Sequence, residues 1–255
     1  MARWGTGAIG NSSRGSKIQG VPQSIYAQSS VQMAPIGVGM ELEDGRKFRY
    51  GQAAGTITAG KLVAPSVAAT SVVEIDAGPT ATFAAGVTEV ILDDSALASK
   101  AADQYAGGTL HITDDAGEGH GYRIKGNTAS STNSITFTLY DGLVVAIGTG
   151  TDVAITGSLY KELVEATAAT DCLVAGVSMC AVTDNYYAWF QTTGVATVLS
   201  DGTPTFGDQL TLSDDGSISG AVQIQDAYTE QTVGFATFSS DDTGYIGVVL
   251  NIGGV

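Results

Sequence analysis

Two histidines, His111 and His120, are all that this 255-residue chain offers for imidazole chemistry. A hydrolase triad, a His-rich metal site or a histidine general base would each have to use one of them. His111 stands in an alternating segment that reads as a strand, and His120 in the turn Gly117-Glu-Gly-His-Gly121. The chain has no Gly-x-Ser-x-Gly elbow between a strand and a helix, and no phosphate-cradling loop ending in Gly-Lys-Ser or Gly-Lys-Thr. These residues predict a protein that is not an enzyme and that needs no cofactor.

Carboxylates are the next candidates, in the pairs Asp93-Asp94, Asp114-Asp115, Asp214-Asp215 and Asp241-Asp242. Oxygen-rich turns can hold Ca²⁺, and Asp114, Asp115 and Glu118 form the densest group, but none of the pairs fits the twelve-residue calcium loop. Asp also starts turns by accepting from its own backbone, and three of the pairs have Gly within three residues. The turn reading is preferred, and no essential metal is expected. Cys172 and Cys180 lie on one extended segment, roughly 26 Å apart if it runs straight, which is too far for a disulfide. They read as small buried or half-buried thiols.

The run Tyr186-Tyr187-Ala188-Trp189-Phe190 could stack on sugars. On a strand, however, Tyr187, Trp189 and Gln191 face one way while Tyr186, Ala188 and Phe190 face the other. That pattern favours a central strand packed on both sides over a ligand platform.

The elements that would position these residues are short strands. Charged residues make up only 15% of the chain, while Gly numbers 34, so long Glu- and Lys-rich surface helices are excluded and Gly/Asp turns between β-branched strands are favoured. The fold class expected is all-β, sandwich or barrel-like, with an extended N-terminal arm and at most one short helix. Segments such as Glu89–Leu92, Ser134–Leu139, Tyr187–Thr192, Ala196–Leu199, Gln209–Leu212 and Tyr245–Asn251 alternate as strands should. One helix is expected near 94–105, where Asp94-Ser95 offers a cap, Leu97, Ala101 and Tyr105 recur every fourth residue, and Gly107-Gly108 closes.

The organisation expected is an arm over 1–40, a β domain over 41–165 and a C-terminal β domain over 166–255. Gly55-Thr-Ile-Thr-Ala-Gly60-Lys-Leu62 echoes Gly202-Thr-Pro-Thr-Phe-Gly207-Asp-Gln-Leu210, each a turn with a Gly corner feeding a new strand. The segment Leu159-Tyr-Lys-Glu-Leu-Val164 gives no clear pattern.

Charge is spread unevenly in a chain of net charge −15. Residues 1–50 hold Arg3, Arg14, Lys17, Arg46, Lys47 and Arg49 against Glu41, Glu43 and Asp44, and the rest is strongly acidic. An acidic body repels phosphate backbones, so no nucleic-acid partner is expected. No apolar stretch is long enough for a membrane span and no secretory signal is visible, so no membrane partner is expected either. The arm reads as the part that fastens the protein to a neighbour. Its candidate partner-binding residues are Arg3, Trp4, Arg14, Lys17, Ile25 and Tyr26, basic or apolar side chains with no core of their own to enter.

Several short motifs share one turn-and-strand rhythm: Val174-Ala-Gly-Val177, Ala188-Trp-Phe-Gln191-Thr-Thr-Gly194, Asp201-Gly202, Gly207-Asp208-Gln-Leu210, Val233-Gly-Phe-Ala236 and Gly247-Val-Val-Leu250. With Gly121-Tyr-Arg-Ile-Lys125 and Thr136-Phe-Thr-Leu-Tyr-Asp141, they cover most of residues 45–252. In these segments the chain resembles the capsid decoration, or cement, proteins of tailed bacteriophages. The resemblance implies a virion protein on the outer surface of the head, made in the host cytoplasm. Its partners would be the major capsid protein and itself, as a homotrimer, and its role would be to clamp neighbouring capsid subunits. The alternatives are another virion part, such as a head fibre, tail or receptor-binding protein, or a carbohydrate-binding module resting on Tyr186, Tyr187 and Trp189. A major capsid protein would need a long spine helix that the sequence lacks.

Overall fold

The computed structural model describes residues 23–66, 73–75, 78–167, 173–227, 230–239 and 241–252. Among them the strands are, in chain order, β1 (Gly39–Glu41), β2 (Lys47–Gln52), β3 (Leu62–Pro65), β4 (Val73–Ile75), β5 (Glu89–Asp93), β6 (Thr109–Ile112), β7 (Gly121–Asn127), β8 (Ser134–Leu139), β9 (Val153–Thr156), β10 (Leu163–Glu165), β11 (Gly176–Ser178), β12 (Tyr187–Leu199), β13 (Gln209–Leu212), β14 (Val222–Ile224), β15 (Gly234–Ala236) and β16 (Tyr245–Asn251). The protein is all-β, and every ladder between these strands is antiparallel. Among the described residues, no helix is long and apolar enough to cross a membrane.

The chain divides into two compact units: residues to Ser66 with those from Tyr160 onward, and Val67–Leu159. This differs from the boundary near 165 that the sequence suggests. The reason is non-local: β10 pairs with β3, Leu163 opposite Pro65 and Glu165 opposite Val63, so the unassigned segment after Leu159 belongs with strands a hundred residues earlier. Turn spacing carries no trace of such a pairing.

In the first unit a ten-stranded sheet runs β10-β3-β11-β12-β16-β15-β13-β14, with β2 on β12 and β1 on β2. The sheet curls. The backbone N–H of Leu62 donates to the Gly220 carbonyl and that of Gly220 to the Ala166 carbonyl, joining the turn before β14 to β3 and the end of β10. Inside lie Leu62, Ala64, Val198, Leu210, Ile246 and Val248, among others. The hairpin joining β1 to β2 turns at Asp44-Gly45, with Gly45 at φ +85°. Both members of the Gly-Thr echo behave alike: Gly60 (φ +75°) and Gly207 (φ +90°) each turn the chain two residues before a strand begins. Gly60 also passes under Tyr245, whose ring would lie 2.6 Å from an added Cβ.

The second unit is a six-stranded sheet, β4-β9-β6-β7-β8-β5. Alternation on β5, β6 and β8 sends Val90, Leu92, Leu110, Ile112, Ile135, Phe137 and Leu139 into one core. The helix expected near 94–105 is replaced by a single 3-10 turn, Ser95–Leu97, capped by Asp94. Ala98 is already extended and Ser99 takes φ 59°, which reverses the chain. The amides a helix would have used are claimed by β7: Asp103 N–H donates to the Asn127 carbonyl at 2.8 Å and Tyr105 N–H to Asn127 Oδ1 at 2.9 Å. Leu97 and Tyr105 still reach the core, through turns.

Part of the arm expected over residues 1–40 packs against its own chain. From Gln23 on, the chain lies in the first unit: Ser29 pairs with Tyr187, and Ile25, Ala34, Met40 and Leu42 pack with Phe48, Tyr50 and Trp189. Ile25 therefore does have a core to enter, in its own chain.

Candidate functional site

The aromatic strand is the feature most suggestive of a ligand platform, and it is packed on both faces. Trp189 is buried with its ring edge-on to Tyr50, centroids 5.0 Å apart at 63°, and Tyr50 stacks on Tyr187 at 6.1 Å. On the opposite face Ala188 and Phe190 join Ile57, Val63, Leu163 and Val182, with Tyr186 against them. The doubly packed strand is thus observed: Trp189 and Phe190 are buried on opposite faces, while Tyr186 and Tyr187 are partly buried against the two clusters.

Above the Trp189 face sits a buried polar knot. The Tyr50 hydroxyl donates to Gln23 Oε1 at 2.7 Å and accepts from Met33 N–H at 3.0 Å, while Gln23 Nε2 donates to the carbonyls of Ala27 and Tyr187. Burial pushes the Tyr50 phenol above its ordinary value, so it stays a donor through neutral pH. The knot ties residues 23–33 to the strand beneath.

Both histidines lie in the second unit. His111 Nε2 is 3.1 Å from Thr156 Oγ1, and His120 Nδ1 is 3.3 Å from the Tyr122 hydroxyl. Each is held by a hydroxyl on a neighbouring part of the second unit.

The carboxylate pairs serve turns. Asp94 Oδ1 accepts from Ala96 N–H at 2.7 Å, Asp114 Oδ1 from Asp115 N–H at 2.8 Å, Asp215 Oδ1 from Ser217 N–H at 2.8 Å, and Asp242 Oδ1 from Gly202 N–H at 2.9 Å. Hydrogen bonds from Ser217 hold the Asp215 carboxyl below its usual range. Asp201, Asp214 and Asp226 border an open hollow beside β14, where the Ser213 hydroxyl donates to Asp201. Among the described residues, no three His, Cys, Asp or Glu side chains stand close enough to share a metal ion.

Cys180 is a half-buried free thiol whose pKa burial raises, a poor nucleophile at neutral pH. Cys172 lies outside the described residues.

One ionic cluster escapes a reading by motif because its members are far apart in sequence. Lys61 Nζ lies 2.9 Å from Glu165 Oε2, both side chains more than four-fifths buried, and the Ser219 hydroxyl and Thr58 N–H also donate to Glu165, at 2.6 and 2.8 Å. Burial pushes the Glu165 carboxyl up, but the bonds from Ser219, Lys61 and Thr58 together outweigh it and hold the group below its ordinary value. With both carboxylate oxygens engaged, the cluster acts as a clasp between β3, β10 and the turn before β14.

Of the residues expected to bind a partner, Ile25 faces inward and is 1% exposed, whereas Tyr26 faces outward at 61%. Arg3, Trp4, Arg14 and Lys17 lie outside the described residues. Comparison with protein-family models, with curated proteins and with solved structures gives no match.

Proposed function

We propose that this chain is a structural protein of a tailed-phage virion, binding the outer surface of the head and bridging major capsid subunits. The observation that carries the reading is the two-sided packing of Tyr187–Phe190, which turns the strongest ligand-binding feature into core. What faces outward is then an acidic, turn-rich β body preceded by Arg3, Arg14 and Lys17, a combination suited to gripping a protein surface. A clip that holds several shell subunits at once resists outward pressure through multivalency, without chemistry. The short motifs that resemble those of decoration proteins point the same way, and that resemblance implies a homotrimer.

The test is to add purified protein to expanded heads that lack it and, separately, to isolated tails. Expected is saturable binding to heads in fixed proportion to the major capsid protein, with a rise in the temperature at which filled heads release DNA. Binding to tails alone, or to neither particle, overturns the proposal.

A further inference from the structure

The hairpin that β3 and β10 form is not closed by an ordinary loop. The two strands pair antiparallel, Leu163 opposite Pro65, Val164 opposite Ala64 and Glu165 opposite Val63. At the end of that ladder the Ser66 N–H donates to the Glu162 carbonyl at 2.8 Å. Residues facing each other across antiparallel strands have Cα atoms only about 5 Å apart. The chain therefore leaves the first unit at Ser66 and re-enters it at Tyr160 at nearly the same point. Between them runs Val67–Leu159, the whole second unit.

Both stems of this hairpin are fixed by partners in the first unit. Leu163 bridges to Ala53, the Ala54 N–H donates to the Leu163 carbonyl at 2.7 Å, and the Gln52 N–H donates to the Tyr160 carbonyl at 3.0 Å. The Ala166 N–H donates to the Leu62 carbonyl at 2.9 Å, and Lys61 pairs with Glu165 beside it. These contacts would hold the ends of a loop of any length, because none of them uses a residue of the second unit.

The second unit is complete in the features that decide folding. Its six strands find their ladder partners among themselves, and its core is drawn from residues between Phe83 and Ile155. The other three clusters consist of first-unit residues. Val67–Leu159 is also longer than the roughly 55–65 residues at which many domains fold alone. A body with its own core, whose two ends meet in the host, has the build of a domain inserted at a turn.

We infer that Val67–Leu159 is a domain inserted into the β3–β10 hairpin, and that it folds and unfolds independently of the unit that carries it. This goes beyond the capsid reading and does not depend on it. Loops between strands are where β-proteins carry binding residues. Here that position is given to a whole domain, whose surface can change without unsettling the first unit.

Urea unfolding of the intact chain, followed with two probes, tests it. Neither Trp4 nor Trp189 lies between residues 67 and 159, so tryptophan emission reports the first unit alone, while far-ultraviolet dichroism reports both. Phe137→Ala removes a fully buried ring from the second core, and Leu210→Ala a fully buried side chain from the first. For Phe137→Ala the tryptophan midpoint should stay within about 0.2 M of that of the intact chain, while the rest of the dichroism transition moves down by about 1 M or more. Leu210→Ala should do the reverse. If Phe137→Ala keeps the second unit from folding at all, dichroic amplitude is lost but the tryptophan transition should remain in place. A tryptophan midpoint that falls in step with the dichroism in Phe137→Ala means one cooperative block and overturns the inference, as does loss of the tryptophan transition in that variant.

Discussion

The two halves of β12 share one strand and one sheet yet meet different surroundings. From Tyr187 to Gln191 both faces are packed, Trp189 against Tyr50 and Phe190 against Leu163. From Val195 to Leu199 only the inward residues are packed: Ala196 and Val198 enter the core while Val195 and Thr197 stay exposed. A shift of register between Gln191 and Thr193, followed by Gly194 at φ +90°, separates the halves. The difference comes from what lies above each. Residues 23–42 fold over the Trp189 face, while the Val195 face has no such cover among the described residues. Burial of a strand's outer face is thus decided by a distant segment.

The sharpest way to break the comparison is to empty the covered half. Trp189→Ala should cost about 3–5 kcal/mol, as large-to-small changes at fully buried aromatics do. Val195→Ala, at an exposed position of the same strand, should stay within about 0.5 kcal/mol. Urea unfolding of both variants reads the difference directly, and equal losses would mean that the two halves are equally covered.

The cover itself can be tested at its anchor. Ile25→Ala should destabilise the first unit by about 2–4 kcal/mol, since the side chain sits in the Trp189 cluster, whereas the exposed neighbour Tyr26→Ala should have little effect. If Ile25→Ala is as mild as Tyr26→Ala, residues 23–42 do not form the lid described. Loss of near-ultraviolet dichroism from Trp189 in the Ile25 variant would place the damage under the lid.

These positions also show what a linear reading can see. The alternation of Ser134–Leu139 and of most of Tyr245–Asn251 was legible because each strand keeps one buried face, so its pattern is local. The two-sided packing of Tyr187–Phe190 was legible because both faces are apolar. Leu163–Glu165 was not: it is three residues long, and only its pairing with Leu62–Pro65 identifies it as a strand. Ile25 was misread for the same reason, its partners Phe48, Tyr50 and Trp189 being up to 164 residues away. The helix near 94–105 failed because Asn127, on another strand, took the amides that Leu97, Ala101 and Tyr105 spacing had promised to a helix. As for the site, the Lys61–Glu165–Ser219 clasp has no motif, since its members meet only where distant segments pair.

The clasp gives the smallest of the expected effects and bears on the uncovered half, whose inward residues Val198 and Ala196 share a core with Leu62 and Ala64 of β3. Lys61, Glu165 and Ser219 hold the curl closed around that core by fixing the turn before β14 to β3 and β10. Glu165→Gln keeps the size of the side chain but leaves Lys61 without its counter-charge, at a cost of roughly 1.5–3 kcal/mol near neutral pH. The sign of the pH dependence follows from the direction of the Glu165 shift. A carboxyl held below its ordinary value in the folded chain is stabilising above that ordinary value, about 4.3, and loses the contribution as pH falls through its folded value. Melting curves of the intact chain and the variant should therefore be far apart at pH 7 and converge as pH falls below the ordinary carboxyl range, where the native carboxyl takes up its proton. A gap that stays constant with pH would mean that packing around Glu165, and not its charge, closes the sheet.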